Sequence, residues 1–403
     1  MKDSGKMTIF ERKWQAGLAA LNPSKKDLEH GLELHKNSFV FDAYSFMPRA
    51  AGFCERIDQL IEEHASRDEL RYAYEEFGMC SGFKDPENRK QLREIWDMSG
   101  VDCVFQNCGE ESNDIETLIK RLSSYTGVID RVDSVYERAA FPEQLAGIRE
   151  RGKKALYITT NGVPLPSKLI SSHEALMYLQ VFFNFGVRMM HMTYNRRNLI
   201  GDGCAELTDA GLSAFGKDVV KEMNRVGIIP DVAHSGQRTS LETALCSEKP
   251  VVASHSVAGK FSSHYRAKGD DVIAAIKKTN GYIGICAYPK FIQLEKNLKS
   301  FIDHIDYVAK TFGVDHVALG TDTGFSVGEV TFNNKFPANR SIYEQFWTPP
   351  GASVDATQEQ WDSLAWTNWP LYTVGLVQRG YSDEEIQKII GGNVLRVCRD
   401  TLS

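Results

Sequence analysis

Short, almost continuous apolar runs alternate with longer amphipathic stretches along most of the chain. Eight such runs occur, and most intervals between them are long enough for a crossover helix. Uninterrupted apolar runs are typical of parallel strands that are buried on both faces. The predicted strands cover residues 39–46, 101–108, 155–162, 187–194, 227–234, 251–256, 281–288 and 316–323.

Apolar residues at helical spacing predict helices in several of these intervals. The predicted helices cover residues 174–185, 212–226, 270–278, 298–312 and 382–397. The last begins with a capping box, in which Ser382 precedes Glu385 by three positions. Eight strand–helix units favour the α/β class and a TIM-type (β/α)8 barrel. A doubly wound open sheet is the alternative, although no GxGxxG motif or P-loop follows the first strand.

Two segments stand outside the barrel pattern. Residues 1–37 are predicted to form an added helical extension, which leaves residues 38–403 for the barrel itself. Residues 325–365 are irregular and rich in proline, glycine, asparagine and aromatic side chains. A stretch of this length and composition predicts a long loop over the barrel mouth.

Composition narrows the classes of partner and compartment. The 403 residues carry a net charge of −6 without a concentrated basic patch, so we expect no nucleic-acid partner. No run of 18 apolar residues occurs, and the first residues are charged, so neither a membrane span nor an export signal is expected. Eight cysteines without CxxC spacing predict reduced thiols in the cytoplasm.

Candidate chemistry lies at the carboxyl ends of the predicted strands, where barrel enzymes place their active sites. His234 and His255 end two adjacent strands, and Asp322 ends the eighth. Neutral imidazoles are common zinc ligands, and a carboxylate beside them can move a proton. A strand-end histidine can equally be a hydrogen-bonded structural residue, and the residue pattern leaves both interpretations open.

Further polar residues end the first, third and fourth strands, and they are candidates for substrate contacts. They are Tyr44, Thr160, Asn161 and Tyr194. His191 is out of phase with Tyr194 in the two-residue period of a strand, so it is expected to face the helices. By the same period, Asp42 is expected to share the face of Tyr44.

Paired histidine motifs lie at the ends of the fifth and sixth predicted strands. They read Asp231-Val-Ala-His234 and Ala253-Ser-His255-Ser256, and they are accompanied by Gly186-Val-Arg188, His264-Tyr-Arg266 and Gly320-Thr-Asp322. In this order and spacing, over most of residues 38–400, the motifs resemble the renal (membrane) dipeptidase family of zinc peptidases. The resemblance implies a homodimeric barrel with two hydroxide-bridged zinc ions. Such proteins hydrolyse dipeptides and, in some members, β-lactams or cysteinylglycine conjugates.

The resemblance also implies roles for individual residues. His234 and His255 match the two histidines of one metal ion, and Asp322 matches the acid near the substrate amine and the hydroxide. Arg266 matches the arginine that binds the substrate carboxylate. Tyr194 stands where many members have a substrate-binding histidine. The implied ligands are therefore zinc and a small substrate that carries a carboxylate.

Three departures from the family pattern affect the metals. Tyr44 replaces the histidine and Phe46 the aspartate that bind the other ion, and Thr160 or Asn161 replaces the glutamate that bridges both ions. Neutral threonine and asparagine are poor zinc ligands beside a carboxylate. We therefore expect the first metal site to be empty, filled instead by the two aromatic rings, and the chain to bind a single zinc ion or none.

The third ligand of a remaining ion is not fixed by the sequence. Asp322, Cys108, Glu110 and Glu111 are the candidates. Three functions stay open: a single-metal hydrolase, a metal-independent enzyme with different chemistry, and a non-catalytic protein that binds a carboxylate through Arg266.

An alternative for Arg266 is a structural ion pair. Asp270 and Asp271 lie four and five positions later in the chain and are the candidate partners.

Overall fold

Eight parallel strands form the centre of the fold. The computed structural model describes residues 7–49, 51–84, 86–109, 114–131, 134–166, 171–326, 328, 330–334 and 355–402. Each of the eight predicted strands is present and overlaps its predicted segment. The strands are β1 (Phe41–Ser45), β2 (Cys103–Asn107), β3 (Lys154–Thr160), β4 (Val187–His191), β5 (Ile229–Asp231), β6 (Ala253–Ala258), β7 (Ile283–Ile285) and β8 (Val317–Leu319).

These strands close into a barrel. Strands β1 to β5 pair in order, and so do β6 to β8. At the first seam, the Val232 amide donates to the Val252 carbonyl at 2.8 Å. At the second, the Asp322 amide donates to the Tyr44 carbonyl at 2.9 Å. The predicted (β/α)8 barrel is therefore confirmed, and the open-sheet alternative is wrong.

Helices cover the strands on the outside. They are α1 (Ile9–Leu21), α2 (Lys25–Asn37), α3 (Glu55–Glu62), α4 (Arg67–Lys84), α5 (Pro86–Ser99), α6 (Ile115–Ile129), α7 (Gln144–Glu150), α8 (Ser172–Asn184), α9 (Ala214–Val226), α10 (Gln237–Cys246), α11 (Asp270–Lys278), α12 (Pro289–Ile292), α13 (Leu298–Phe312), α14 (Gln358–Ser363), α15 (Trp369–Gln378), α16 (Asp383–Gln387) and α17 (Asn393–Thr401). The predicted helices at 270–278 and 298–312 agree with α11 and α13 in both bounds.

The last predicted helix is interrupted, although the Ser382–Glu385 capping box is present. A π-helical turn, Lys388–Gly392, separates α16 from α17. A β-carbon at Gly391 would lie 2.5 Å from the carbonyl oxygen of Phe39, just before β1. The chain therefore needs a glycine there, since only the missing side chain lets the helix backbone approach the barrel this closely.

Residues 9–37 form two helices that pack on the outside of the barrel. Helix α1 begins at a capping box between Thr8 and Glu11, and α2 lies against α15. A β-carbon at Gly31 would lie 2.7 Å from the α-carbon of Val374, so the two helix backbones are in close contact. A domain boundary after residue 37 stays a prediction.

Most of the predicted mouth loop, residues 335–354, lies outside the described residues. Its first part is anchored, because Val330–Thr331 pairs in parallel with Gly52–Phe53. The Asp58 carboxylate accepts the backbone N–H groups of Asn333 and Asn334 at 2.9 and 2.7 Å. At its other end, helix α14 begins inside the predicted loop, at Gln358.

A bulge in β1 decides which of its side chains face the barrel interior. Asp42 pairs with Val104 but Ser45 with Gln106, so β1 holds one extra residue there. The expectation that Asp42 shares the face of Tyr44 is therefore wrong: Tyr44 packs in the inner cluster, whereas the Asp42 carboxylate contacts the helices outside.

Asp42 joins the barrel to its C-terminal helices through one buried carboxylate. Its Oδ2 accepts the indole N–H groups of Trp366 at 3.1 Å and Trp369 at 3.2 Å, as well as the Thr321 hydroxyl at 2.6 Å. Burial raises the pKa of Asp42 to about 6, and its hydrogen bonds from Thr321, Tyr44 and Trp366 oppose that rise.

We expect Asp42→Asn to lower the free energy of unfolding by about 3 kcal/mol, because an amide N–H₂ would meet two indole N–H donors. Chemical denaturation monitored by tryptophan fluorescence would measure this. Asp218→Asn, at an exposed carboxylate on α9, is the matched control and should change stability by less than about 0.5 kcal/mol. Equal stability of both variants would contradict the structural role of Asp42.

No helix within the described ranges combines the length and the apolar character that crossing a membrane requires.

Candidate functional site

Two buried histidines face each other at the carboxyl end of the barrel. His234 follows β5 and His255 lies in β6, and their Nε2 atoms are 3.0 Å apart. The pKa of each imidazole lies well below its usual value, first because of burial and then because of the nearby Arg266 guanidinium. Both rings are therefore neutral near pH 7, which is the state that binds a metal ion.

The second nitrogen of each ring is held by an oxygen. Nδ1 of His234 lies 2.7 Å from Oδ1 of Asn195, and Nδ1 of His255 lies 2.7 Å from the Ser254 hydroxyl. An N–H donated at Nδ1 leaves the Nε2 lone pair of that ring directed at the other histidine. Hydrogen bonds of this kind fix the tautomer and orientation of metal-binding histidines.

Aromatic rings enclose the pair. Tyr44 stacks on His255, with ring centres 3.7 Å apart and planes 12° apart, and Tyr194 stacks on His234 with centres 4.2 Å apart. The Tyr44 hydroxyl donates to Oδ1 of Asn161 at 2.6 Å. Two positions that lack the family's ligand types are thus joined to each other.

Phe46 and Thr160 are the other residues at positions where the family pattern has metal ligands. Phe46 meets the edge of the Tyr44 ring with centres 6.2 Å apart. The Thr160 hydroxyl donates to the Gly162 carbonyl at 2.7 Å, away from the histidines. Asn161, and not Thr160, therefore reaches the histidine-bearing side of the site. No carboxylate or imidazole occupies the positions of the first family metal, so these residues do not fit a second ion.

Arg266 is buried beside the histidine pair and keeps one unused donor. Its Nε donates to the Ala233 carbonyl at 3.1 Å and its Nη2 to the His255 carbonyl at 2.7 Å. Nη1 is buried and has no hydrogen-bond partner among the described residues. The alternative of an ion pair is not observed, since neither Asp270 nor Asp271 lies within 4.0 Å of the guanidinium, and Asp270 accepts the Tyr307 hydroxyl instead.

Asp322 supplies a carboxyl group that titrates near neutral pH. Its backbone is in the left-handed region, with φ 55°, where the amide donates to Tyr44. Burial raises the pKa of Asp322 to about 7; the Arg266 guanidinium opposes the rise and Asp42 adds to it. The side chain is half-buried, with the Cys286 thiol 3.9 Å from Oδ2. A group with this pKa can accept and release a proton under physiological conditions.

His191 was expected to face the helices, and that expectation is wrong. It is fully buried in the barrel interior, with ring centres 5.0 Å from His234 and 5.3 Å from His255. Its Nε2 lies 2.7 Å from Oδ2 of Asp231, its register partner on β5. The expectation took its phase from Tyr194, which follows the end of β4. Met189, within the strand and in the inner cluster, gives the correct phase.

Of the proposed third ligands, Cys108 packs in the outer hydrophobic core and not beside the histidines. Glu110 and Glu111 lie outside the described residues. Within the described ranges, one group of histidine, cysteine and carboxylate side chains is close enough to hold a metal ion. It consists of His191, Asp231 and His255, whose ligand atoms all lie within 4.8 Å of one another.

Comparison with known proteins gives a consistent result. Residues 33–334 match the family described as membrane dipeptidase (peptidase family M19). The chain is 25% identical to dipeptidase tcpJ of Claviceps purpurea over 311 residues, which cover 74% of this chain and 65% of that relative. It therefore spans less than two thirds of that relative's length.

Solved structures show the same fold. An amidohydrolase from Pseudomonas aeruginosa superposes with a TM-score of 0.69 at 23% identity, over 92% of this chain and 98% of that one. The probable dipeptidase PvdM from the same organism superposes with a TM-score of 0.67 at 20% identity, over 94% and 99%.

Proposed function

Because the chain belongs to the membrane dipeptidase family, peptidase family M19, we propose that it is a hydrolase of C–N bonds that works with one zinc ion. The substrate is a dipeptide or a small amino-acid conjugate with a free carboxylate. The observation that carries this proposal is the contact between His234 and His255, whose Nε2 atoms lie 3.0 Å apart while their Nδ1 atoms are held by oxygens.

The residues present fit one ion and not two. His234 and His255 would hold it, and a bound zinc ion supplies Lewis acidity and lowers the pKa of water. The first family site has Tyr44, Phe46 and Asn161 in place of its ligands, and the hydrogen bond between Tyr44 and Asn161 closes it. Tyr44 and Asn161 therefore act as walls of the substrate pocket, together with Tyr194.

Arg266 and Asp322 provide the other two functions that hydrolysis requires. The unused Nη1 of Arg266 can donate to a substrate carboxylate, and its other nitrogens hold the guanidinium in place. Asp322, with a pKa of about 7, can take the proton from the attacking water and return it to the leaving amine.

Turnover of a dipeptide panel before and after chelator dialysis tests this proposal. We expect activity to disappear after dialysis and to return with one equivalent of zinc. Turnover that survives complete metal removal would favour a metal-independent enzyme. Binding of dipeptides without turnover would favour a non-catalytic carboxylate-binding protein.

The metal-independent alternative rests on a specific hydrogen-bond chain. If the Ser254 hydroxyl donates to Nδ1 of His255, then Nε2 of His255 can donate to His234, which in turn donates to Asn195. This chain satisfies both rings without an ion. Zinc titration monitored by imidazole NMR distinguishes the two, since ion binding requires Nε2 of His255 to lose the proton that this chain places on it, so that neither Nε2 atom is protonated.

We expect Arg266→Lys to raise KM for a dipeptide about 100-fold with little change in kcat, because a lysine ammonium cannot keep both backbone bonds and still reach the carboxylate. Steady-state kinetics with a dipeptide and with its C-terminal amide would measure this. The amide lacks the carboxylate, so the variant and the wild type should process it equally. An equal loss on both substrates would show that Arg266 acts in folding and not in carboxylate recognition.

The proposal also covers the cellular compartment and the oligomeric state. We place the protein in the cytoplasm, as a homodimer without nucleic-acid or membrane partners. All eight cysteines are free and six are buried, which supports a reducing compartment. The homodimer is implied by the family, and light scattering would test it.

A further inference from the structure

Three imidazoles from three neighbouring strands lie close together in the barrel. His191 is on β4, His234 follows β5 and His255 is on β6. The ring centres are 5.0 Å apart for His191 and His234, 5.3 Å for His191 and His255, and 5.0 Å for His234 and His255. The three rings therefore form a nearly equilateral triangle.

The separations of the three ring centres match those of imidazoles around one tetrahedral ion, and the ligand atoms of His191 and His255 lie within 4.8 Å of each other and of an Asp231 oxygen. Zinc binds imidazole nitrogen at about 2.0–2.1 Å, and tetrahedral angles then place the ring centres about 5.2 Å apart. All three observed separations lie within a few tenths of an ångström of that value.

The surroundings of His191 do not satisfy the hydrogen-bonding capacity of its ring nitrogens. His191 is fully buried, and neither of its ring nitrogens has a hydrogen-bond partner within the part of the chain that the structure describes. Its Nε2 is 2.7 Å from Oδ2 of Asp231, an ion-pair distance, and that oxygen has no other partner among the described residues. A buried polar ring in this state needs a further partner, since leaving it unpaired is unfavourable.

Asp231 is held rigidly beside it. Its Oδ1 accepts the backbone N–H groups of Ala233 at 2.9 Å and Ser254 at 3.0 Å. The carboxylate is fully buried and lies in contact with the His191 ring. A carboxylate beside an imidazole orients the ring and increases its strength as a metal ligand.

We propose that His191 is the third protein ligand of the ion that His234 and His255 hold, with Asp231 as the residue that positions it. The inference rests on the proposed function, since it concerns the same ion. The ligand lost at the end of β3 is thereby replaced from the next strand. Three imidazoles leave a fourth position open, as a catalytic zinc site requires.

Cobalt binding tests this without any measurement of activity. The metal-free protein would be titrated with Co²⁺ while its visible absorption and affinity are recorded. We expect His191→Gln to bind Co²⁺ about 100-fold more weakly or more, and to lose the strong tetrahedral absorption. His35→Gln is the matched control. His35, on α2, is also buried, but its ring nitrogens contact the Thr373 hydroxyl and the Ser99 carbonyl, so Co²⁺ binding should be unchanged.

A second variant guards against simple misfolding of the first. His191→Cys offers a thiolate at the same position, so it should bind Co²⁺ and add a sulfur-to-cobalt charge-transfer band in the near ultraviolet. A structural residue would give no such band. Wild-type affinity and spectrum in His191→Gln, with binding lost in His234→Gln, would overturn the inference alone. Failure of the wild-type protein to bind Co²⁺ would overturn the proposed function and the inference with it.

Discussion

Replacing His255 with glutamine is expected to lower kcat/KM for a dipeptide by about 1000-fold or more and to remove the bound metal. His255 is the imidazole that lies next to most of the other site residues. Its Nε2 faces His234 at 3.0 Å, its ring stacks on Tyr44 at 3.7 Å, and its ring centre lies 5.3 Å from that of His191. Glutamine keeps a polar side chain of similar length but offers only a weak amide oxygen as a ligand.

Steady-state kinetics and metal analysis on the same preparation would measure this effect. His35→Gln serves as the control, because it removes a buried imidazole without touching the site, and its activity should stay near that of the wild type. The prediction fails if His255→Gln retains both its metal and most of its turnover. Lost turnover with an unchanged metal content would instead assign His255 an acid–base role.

Replacing Asp322 with asparagine is expected to lower kcat by about 100- to 10,000-fold with little change in KM, since a positioned proton acceptor contributes rate enhancement of this order. Asparagine suits the position for a structural reason. Asp322 has φ 55°, a backbone conformation that asparagine tolerates better than alanine does. The substitution therefore removes the proton acceptor with little added backbone strain.

The pH profile provides a second test of Asp322. A base must be ionised, so wild-type kcat/KM should fall as the pH drops through about 7, the pKa to which burial raises this carboxyl. The residual activity of Asp322→Asn should lack that limb. Asp322→Glu keeps a carboxylate and should retain the limb at a lower rate. An identical limb in wild type and Asp322→Asn would remove Asp322 from the mechanism.

The barrel could be predicted from the sequence because its strands are buried on both faces. Such strands form nearly uninterrupted apolar runs, and the intervening helices have one apolar face. Both patterns can be recognised in the sequence without knowledge of tertiary contacts. The break between α16 and α17 could not be foreseen. It depends on the contact of Gly391 with the Phe39 carbonyl, which joins residues more than 350 positions apart.

The sequence predicts the candidate site only where side chains alternate regularly between the two faces of a strand. His234 and His255 were found because they lie at the carboxyl ends of adjacent strands. The predicted orientation of Asp42 is wrong because a bulge adds a residue to β1. The predicted orientation of His191 is wrong because it depends on regular alternation as far as Tyr194, which lies in a loop beyond β4. Local irregularities of this kind leave no mark in the hydrophobic pattern, and they fall at the functional end of the barrel.

In the proposed function, His234 and His255 hold one metal ion, and not two or none. Elemental analysis of protein purified without added metal, beside the His234→Ala, His255→Ala double variant, tests it most directly. We expect about one zinc ion per chain in the wild type and none in the double variant. Two ions per chain, no metal in the wild type, or an undiminished content in the variant would contradict it.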